Sequence, residues 1–245
     1  MVKNTHYLHL FFVFANIKTL HNPKGHKIDK NFPIKYFLLL IILIIASGYG
    51  LLWFYHNVIP DPLPNKEFYL LILIYSLIYL VVSIAYKNIS FIERHRVIGI
   101  QSTKSKYFII AILSALIIWG SALLMQKFLI NINAIEEARD WYLINQNHLP
   151  ATFVTTVVLA PIVEEMLFRG IFLQTMRRYL SPFLSIFIVS LVFSVVHFSL
   201  SNAIPLFVAS VVYCIITIKS QSIIPSIIAH IFNNFLTFAY FLRLV

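Results

Sequence analysis

The chain has 245 residues, of which 60% are hydrophobic and 11% charged, against about 25% charged in soluble domains. That balance excludes an ordinary soluble globular protein and describes an integral membrane one. The net charge of +10 sits in short segments between apolar runs, a topology signal that faces anionic lipid headgroups and not nucleic acid. A lone cysteine, Cys214 in an apolar run, excludes a disulfide framework and a cysteine-based metal cluster.

Residues 1–33 form a basic segment expected to lie in the cytoplasm or at the interface. Its apolar stretch, 7–15, is too short to span a bilayer and reads as an interfacial helix in preference to a signal peptide. A first span is expected over 34–58, with Trp53 and Tyr55 at the interface. The three prolines of 60–65 then make a turn. A second span covers 68–86. The polar loop 87–106 carries Arg94, Arg96, Lys104 and Lys106 against Glu93. The third span is 107–129, followed by an acidic loop with Glu136, Glu137 and Asp140.

A fourth helix is expected over 150–177, a fifth over 182–198, a sixth over 203–218 and a seventh over 222–242. The fold class is therefore an all-α polytopic membrane protein with about seven transmembrane helices. Residues 34–149 hold the N-terminal helices and loops, and the last four spans, 150–243, hold the candidate functional core. Basic residues fall in alternate loops: the N-terminus, 87–106, Arg177 with Arg178, and Lys219. The positive-inside rule then gives a multi-pass protein of the cell membrane with a cytoplasmic N-terminus.

The fourth helix is the informative one. It places Glu164, Glu165 and Arg169 in an otherwise apolar run, where each ionisable group costs about 2.5–3.5 kcal/mol on insertion scales. Glu165 and Arg169 are i,i+4 neighbours that can pair. Glu164 lies about 100° round the helix, so it is left free for chemistry.

The other polar side chains of the last four spans are His197, Asn202, His230, Asn233 and Asn234. Phe193 lies one turn before His197, and His230 and Asn234 project together from the seventh helix at i,i+4. A free carboxylate, two imidazoles and a carboxamide on three helices can converge on one water, as a hydrolytic site requires. The structural alternatives are interhelical glue for the histidines and asparagines and a staple for the Glu165–Arg169 pair. Three polar groupings on separate apolar helices favour the site. The remaining histidines, in loops, in the N-terminal segment or at span ends, are given no role.

These residues form three motifs: Glu164-Glu165-x-x-x-Arg169, Phe193-x-x-x-His197 and His230-x-x-x-Asn234. In order and spacing they resemble the CPBP family of intramembrane proteases, which includes the CAAX prenyl endopeptidases and the Abi-type proteins of bacteriocin self-immunity. The resemblance implies an all-helical membrane enzyme that cleaves a peptide bond in a hydrophobic or membrane-associated peptide, lipidated or not. Peptide maturation and self-immunity are the roles that fit. Carried onto this chain, Glu164 is the general base assisted by His197, His230 and Asn234 form the oxyanion site, and Glu165, Arg169 and Phe193 support the geometry.

Glu164, His197 and His230 also match a two-histidine, one-carboxylate site for a divalent metal such as zinc. The chain has no HExxH helix, and a metal-independent glutamate mechanism without cofactor is favoured. The competing functions are a non-catalytic scaffold or regulator of the same fold and a proton-coupled transporter using Glu164 and the histidines as a relay.

Overall fold

The computed structural model describes residues 34–43, 46, 66–87, 90–128, 149–197, 199 and 202–242. The 7–15 stretch, most of the first span beyond residue 43, the proline turn at 60–65 and the acidic loop at 136–140 lie outside them. All regular structure among the described residues is helical, so the chain is an all-α polytopic membrane protein.

The helices, in chain order, are α1 (Ile34–Leu43), α2 (Lys66–Ala85), α3 (Phe91–Val97), α4 (Lys106–Phe128) and α5 (Leu149–Tyr179). They are followed by α6 (Pro182–Val195), α7 (Ala203–Ser220) and α8 (Ile224–Leu242). By length and composition, α4, α5 and α7 each contain a stretch able to cross a membrane. These are the third, fourth and sixth of the expected spans. The second and fifth appear as shorter apolar helices, as does the start of the first, and α8 stands where the seventh was expected.

Two boundaries differ from the sequence reading. The loop 87–106 contains α3, because Ser90 and Glu93 form a capping box. The Glu93 amide donates to Ser90 Oγ at 3.3 Å, and the Ser90 amide donates to Glu93 Oε2 at 3.1 Å. That reciprocal pair closes the first turn of a seven-residue helix. The second difference is α6, which ends at Val195 and not near residue 198. It starts sharply, with Pro182 at its first turn and Ser181 Oγ accepting from the Leu184 amide.

Helix α5 is the inner element. Of its spanning stretch 44% is buried, against 17% for α4. α5 packs against α2, α6, α7 and α8, while α4 packs against α7 and α8 from outside. The outward side of α4 (Ile109, Ile110, Leu113, Ile117 and Leu124) is exposed apolar surface suited to lipid tails. α1 joins α5 through stacked rings, Phe37 on Phe172, with centroids 5.0 Å apart.

A polar layer ties the ends of these helices together. The segment after α3 turns at Gly99, whose φ of +83° suits glycine, and then runs alongside the α7–α8 connection. The Ile223 amide donates to Gly99 O at 3.0 Å, Thr103 Oγ1 to Ser220 O at 2.8 Å and Ser222 Oγ to Gln101 O at 2.6 Å. On the other side, Gly170 of α5 meets Ile98. A Cβ at Gly170 would stand 2.6 Å from the Ile98 carbonyl oxygen. The segment 99–103 of the basic loop and the α7–α8 connection that follows Lys219 thus belong to one end of the bundle.

Candidate active site

The polar layer sets the depth of the site. Glu164 precedes Gly170 by six residues on α5 and His230 follows Ile223 by seven on α8, so both stand within about two helical turns of that layer. α6 runs back along α5 from the turn at residues 180–181. It stops at Val195, and His197, two residues on, stands beside Glu164, with Nε2 3.8 Å from Glu164 Oε2.

The two glutamates part as the helix geometry requires. Glu165 is fully buried and pairs with the fully buried Arg169 at 2.8 Å. Arg169 reaches further: Nη2 donates to Ser210 Oγ at 2.9 Å and to Ser210 O at 3.3 Å on α7. Its guanidinium lies over the rings of Phe193 at 4.6 Å and Tyr213 at 5.3 Å. A buried charge is tolerated only when paired and hydrogen-bonded in this way.

Glu165 also does something that i,i+4 spacing does not disclose. Its Oε1 lies 3.0 Å from Nδ1 of His230 on α8. Tyr213 stacks on the same imidazole, with centroids 5.2 Å apart and planes at 30°. The ring is thereby held from one side by a carboxylate and across its face by an aromatic, which leaves Nε2 directed at Glu164.

Glu164 is the accessible member, its side chain 25% exposed. Its Oε2 lies 3.8 Å from Nε2 of His197 and 3.9 Å from Nε2 of His230. Both separations exceed a direct hydrogen bond and suit one bridging by a water. His197 Nδ1 lies 2.6 Å from the Phe193 carbonyl, which can only accept, so Nδ1 carries the ring hydrogen. Phe193 stacks beside the imidazole at 4.6 Å. The backbone one turn earlier therefore sets the tautomer of His197.

Asn234 lies one turn beyond His230, and its Nδ2 donates to Thr156 O on α5 at 3.0 Å. Asn202 donates to Ser199 Oγ at 2.9 Å, outside this cluster. Asn233 Oδ1 is buried with no hydrogen-bond partner among the described residues. The structure thus brings together Glu164, Glu165, Arg169, Phe193, His197, His230 and Asn234, and adds Ser210 and Tyr213, which sequence reasoning passed over. A serine and a tyrosine three apart on an apolar helix form no motif. The signal that existed was the demand of a buried guanidinium for more acceptors than one glutamate supplies.

Among the described residues no group of three or more His, Cys, Asp or Glu side chains is disposed to hold a metal ion. In the Glu164, His197 and His230 set considered for zinc, the carboxylate oxygen stands 3.8 and 3.9 Å from the two imidazole Nε2 atoms.

Residues 146–236 match a family model described as type II CAAX prenyl endopeptidase, Rce1-like. That stretch contains every residue of the cluster. No curated protein and no solved structure matches the chain.

Proposed function

We propose a glutamate-dependent peptide hydrolysis for this chain, whose residues 146–236 are similar to the type II CAAX prenyl endopeptidase, Rce1-like family. The observation that carries the reading is Glu164 Oε2, which faces the Nε2 atoms of His197 and His230 at 3.8 and 3.9 Å. With its hydrogen on Nδ1, His197 offers a lone pair at Nε2. A water between that nitrogen and the Glu164 carboxylate gives a hydrogen to each and turns its own lone pair outward, toward a substrate carbonyl.

The water oxygen adds to the scissile carbonyl carbon as Glu164 takes the proton. The carbonyl electron pair moves to oxygen, and the collapsing intermediate expels the amine with the proton that Glu164 returns. The oxyanion needs donors. Asn234 spends one N–H on Thr156 and has a second to give. His230 can donate from Nε2 when it carries both ring hydrogens, since its Nδ1 hydrogen is directed at Glu165. Phe193, Glu165 and Arg169 hold these groups in place.

The substrate is a hydrophobic or membrane-associated peptide, lipidated or not, and the roles that fit are maturation of a secreted peptide and bacteriocin self-immunity. We assign the end of the bundle that carries the basic 87–106 loop and Lys219 to the cytoplasm, where anionic lipids are its partners.

The test compares the host as wild type, as a deletion, and with a chromosomal Glu164→Ala at normal protein level, reading small secreted and membrane peptides by mass spectrometry. A precursor that accumulates in both altered strains is the expected result. If the substitution behaves as wild type while the deletion does not, the protein acts by binding and the hydrolytic reading fails.

A further inference from the structure

The expected chemistry leaves unexplained why α5 changes pitch just before its glutamates. Residues Val154–Leu159 form a π-helical stretch, in which each amide donates to the carbonyl five residues back. At its end, the Ala160 amide donates to Thr155 O. The next donor in that register belongs to residue 161, and its acceptor is Thr156 O. Residue 161 is proline, which has no N–H. Thr156 O is consequently deprived of its helical donor inside an apolar bundle, where an unpaired carbonyl is costly.

Asn234 fills that gap: its Nδ2 stands 3.0 Å from Thr156 O. We infer that Asn234 replaces the backbone N–H that Pro161 lacks, and by that bond locks α8 onto α5 so that His230 faces Glu164. Three features agree with this. Asn234 and His230 are one turn apart on α8, so fixing one fixes the other. Pro161 is buried at the start of the short α-helical segment that holds both glutamates. Phe153 of α5 packs edge-on against Phe238, one turn beyond Asn234, at 5.3 Å, which continues the same α5–α8 seam.

The asparagine is in this respect a positioning residue, and Pro161 is what creates the need for it. The consequence for activity rests on the hydrolytic reading above, whereas the hydrogen bond itself does not.

The experiment uses the full chain purified in detergent, as wild type, Asn234→Ala, Pro161→Ala and the double variant. Two quantities are read: the thermal unfolding midpoint, and kcat and KM on a hydrophobic peptide that the wild type cleaves. The Pro161→Ala substitution restores an N–H in register with Thr156 O, so the two sites must couple. Asn234→Ala is expected to lower the midpoint by about 2–4 °C when Pro161 is present and by less than half as much in the Pro161→Ala background. In activity, the double variant is expected to regain about tenfold in kcat over Asn234→Ala with KM unchanged. The remaining deficit is that of the lost oxyanion donor.

Equal midpoint losses in both backgrounds would overturn the inference. If Asn234→Ala yields no folded protein, Pro161→Ala must rescue folding, and Asn234→Leu, which keeps the side-chain size, must behave alike. Failure of either overturns it as well. A coupled midpoint in a protein that cleaves no peptide would retain the positioning bond and reject the hydrolytic reading.

Discussion

Nδ1 of His230 lies 3.0 Å from Oε1 of Glu165, the same carboxylate oxygen that takes Nη1 of Arg169 at 2.8 Å. The buried glutamate therefore organises the histidine that its accessible neighbour, Glu164, faces from the other side. Two adjacent residues of one chemical type divide into a holder and a reactant because a helix turns about 100° between them, burying one side chain fully and leaving the other 25% exposed.

That division predicts opposite phenotypes for the same substitution. Glu164→Gln is expected to lower kcat/KM on a hydrophobic peptide by about 10²–10⁴-fold, the worth of a general base, while stability stays within about 0.5 kcal/mol. Glu165→Gln leaves Arg169 with an uncompensated buried charge and is expected to cost about 3–5 kcal/mol of stability. Purified variants compared by peptide cleavage and by thermal unfolding decide the matter. Retained activity in Glu164→Gln would remove the base from the mechanism.

A second prediction concerns the aromatic and hydroxyl groups around Arg169. Ser210 Oγ takes a charge-assisted bond at 2.9 Å inside the bundle, so Ser210→Ala is expected to cost about 1–3 kcal/mol. Tyr213 contributes its ring to His230 and Arg169, but its hydroxyl is buried without a hydrogen-bond partner among the described residues. Tyr213→Phe keeps the ring and removes the orphan, and is expected to be neutral or stabilising. A loss in Tyr213→Phe as large as in Ser210→Ala would show that the hydroxyl has a partner of its own.

Much of this site was legible in the sequence because charges in apolar helices are conspicuous. The i,i+4 rule separated Glu165 from Glu164, and the one-turn spacings in Phe193-x-x-x-His197 and His230-x-x-x-Asn234 put the right groups on shared faces. What stayed hidden depends on contacts between helices. No spacing along α5 predicts that Glu165 reaches His230, sixty-five residues away, or that Ser210 and Tyr213 of α7 close round Arg169. The end of α6 was placed near residue 198 because hydropathy continues past Val195 while the helix does not. α3 was missed because seven residues within a basic loop carry too little apolar periodicity to register, although its Ser90/Glu93 capping box was there to read.

The polar layer above the site predicts a contrast between two helical glycines. A Cβ at Gly170 would lie 2.6 Å from the Ile98 carbonyl oxygen, a backbone atom with little room to retreat, whereas at Gly120 it would meet nothing within 4 Å. Gly170→Ala is therefore expected to destabilise by about 1–3 kcal/mol, as overpacking does. Gly120→Ala, in a helix interior with open space around it, is expected to stabilise by up to about 1 kcal/mol. Unfolding midpoints of the two variants, measured side by side, test whether the segment after α3 is seated against α5. Equal behaviour would mean that it is not.

Metal removal separates the two chemistries that one carboxylate and two imidazoles allow. In the glutamate mechanism Glu164 activates water by accepting its proton, and His197, with its hydrogen held on Nδ1 by the Phe193 carbonyl, needs only its Nε2 lone pair to orient that water. Neither function requires a Lewis acid, so cleavage of a peptide by the purified chain is expected to survive prolonged dialysis against a strong chelator with less than about a twofold change. A zinc-activated water behaves otherwise: stripping the ion removes the nucleophile itself, and zinc restores it. Loss of activity on chelation with recovery on adding zinc, but not magnesium, would transfer Glu164, His197 and His230 from base and orienting groups to ligands. The same outcome would require the three side chains to close from separations of 3.8 and 3.9 Å around one ion, a movement that a metal-loaded structure would record directly.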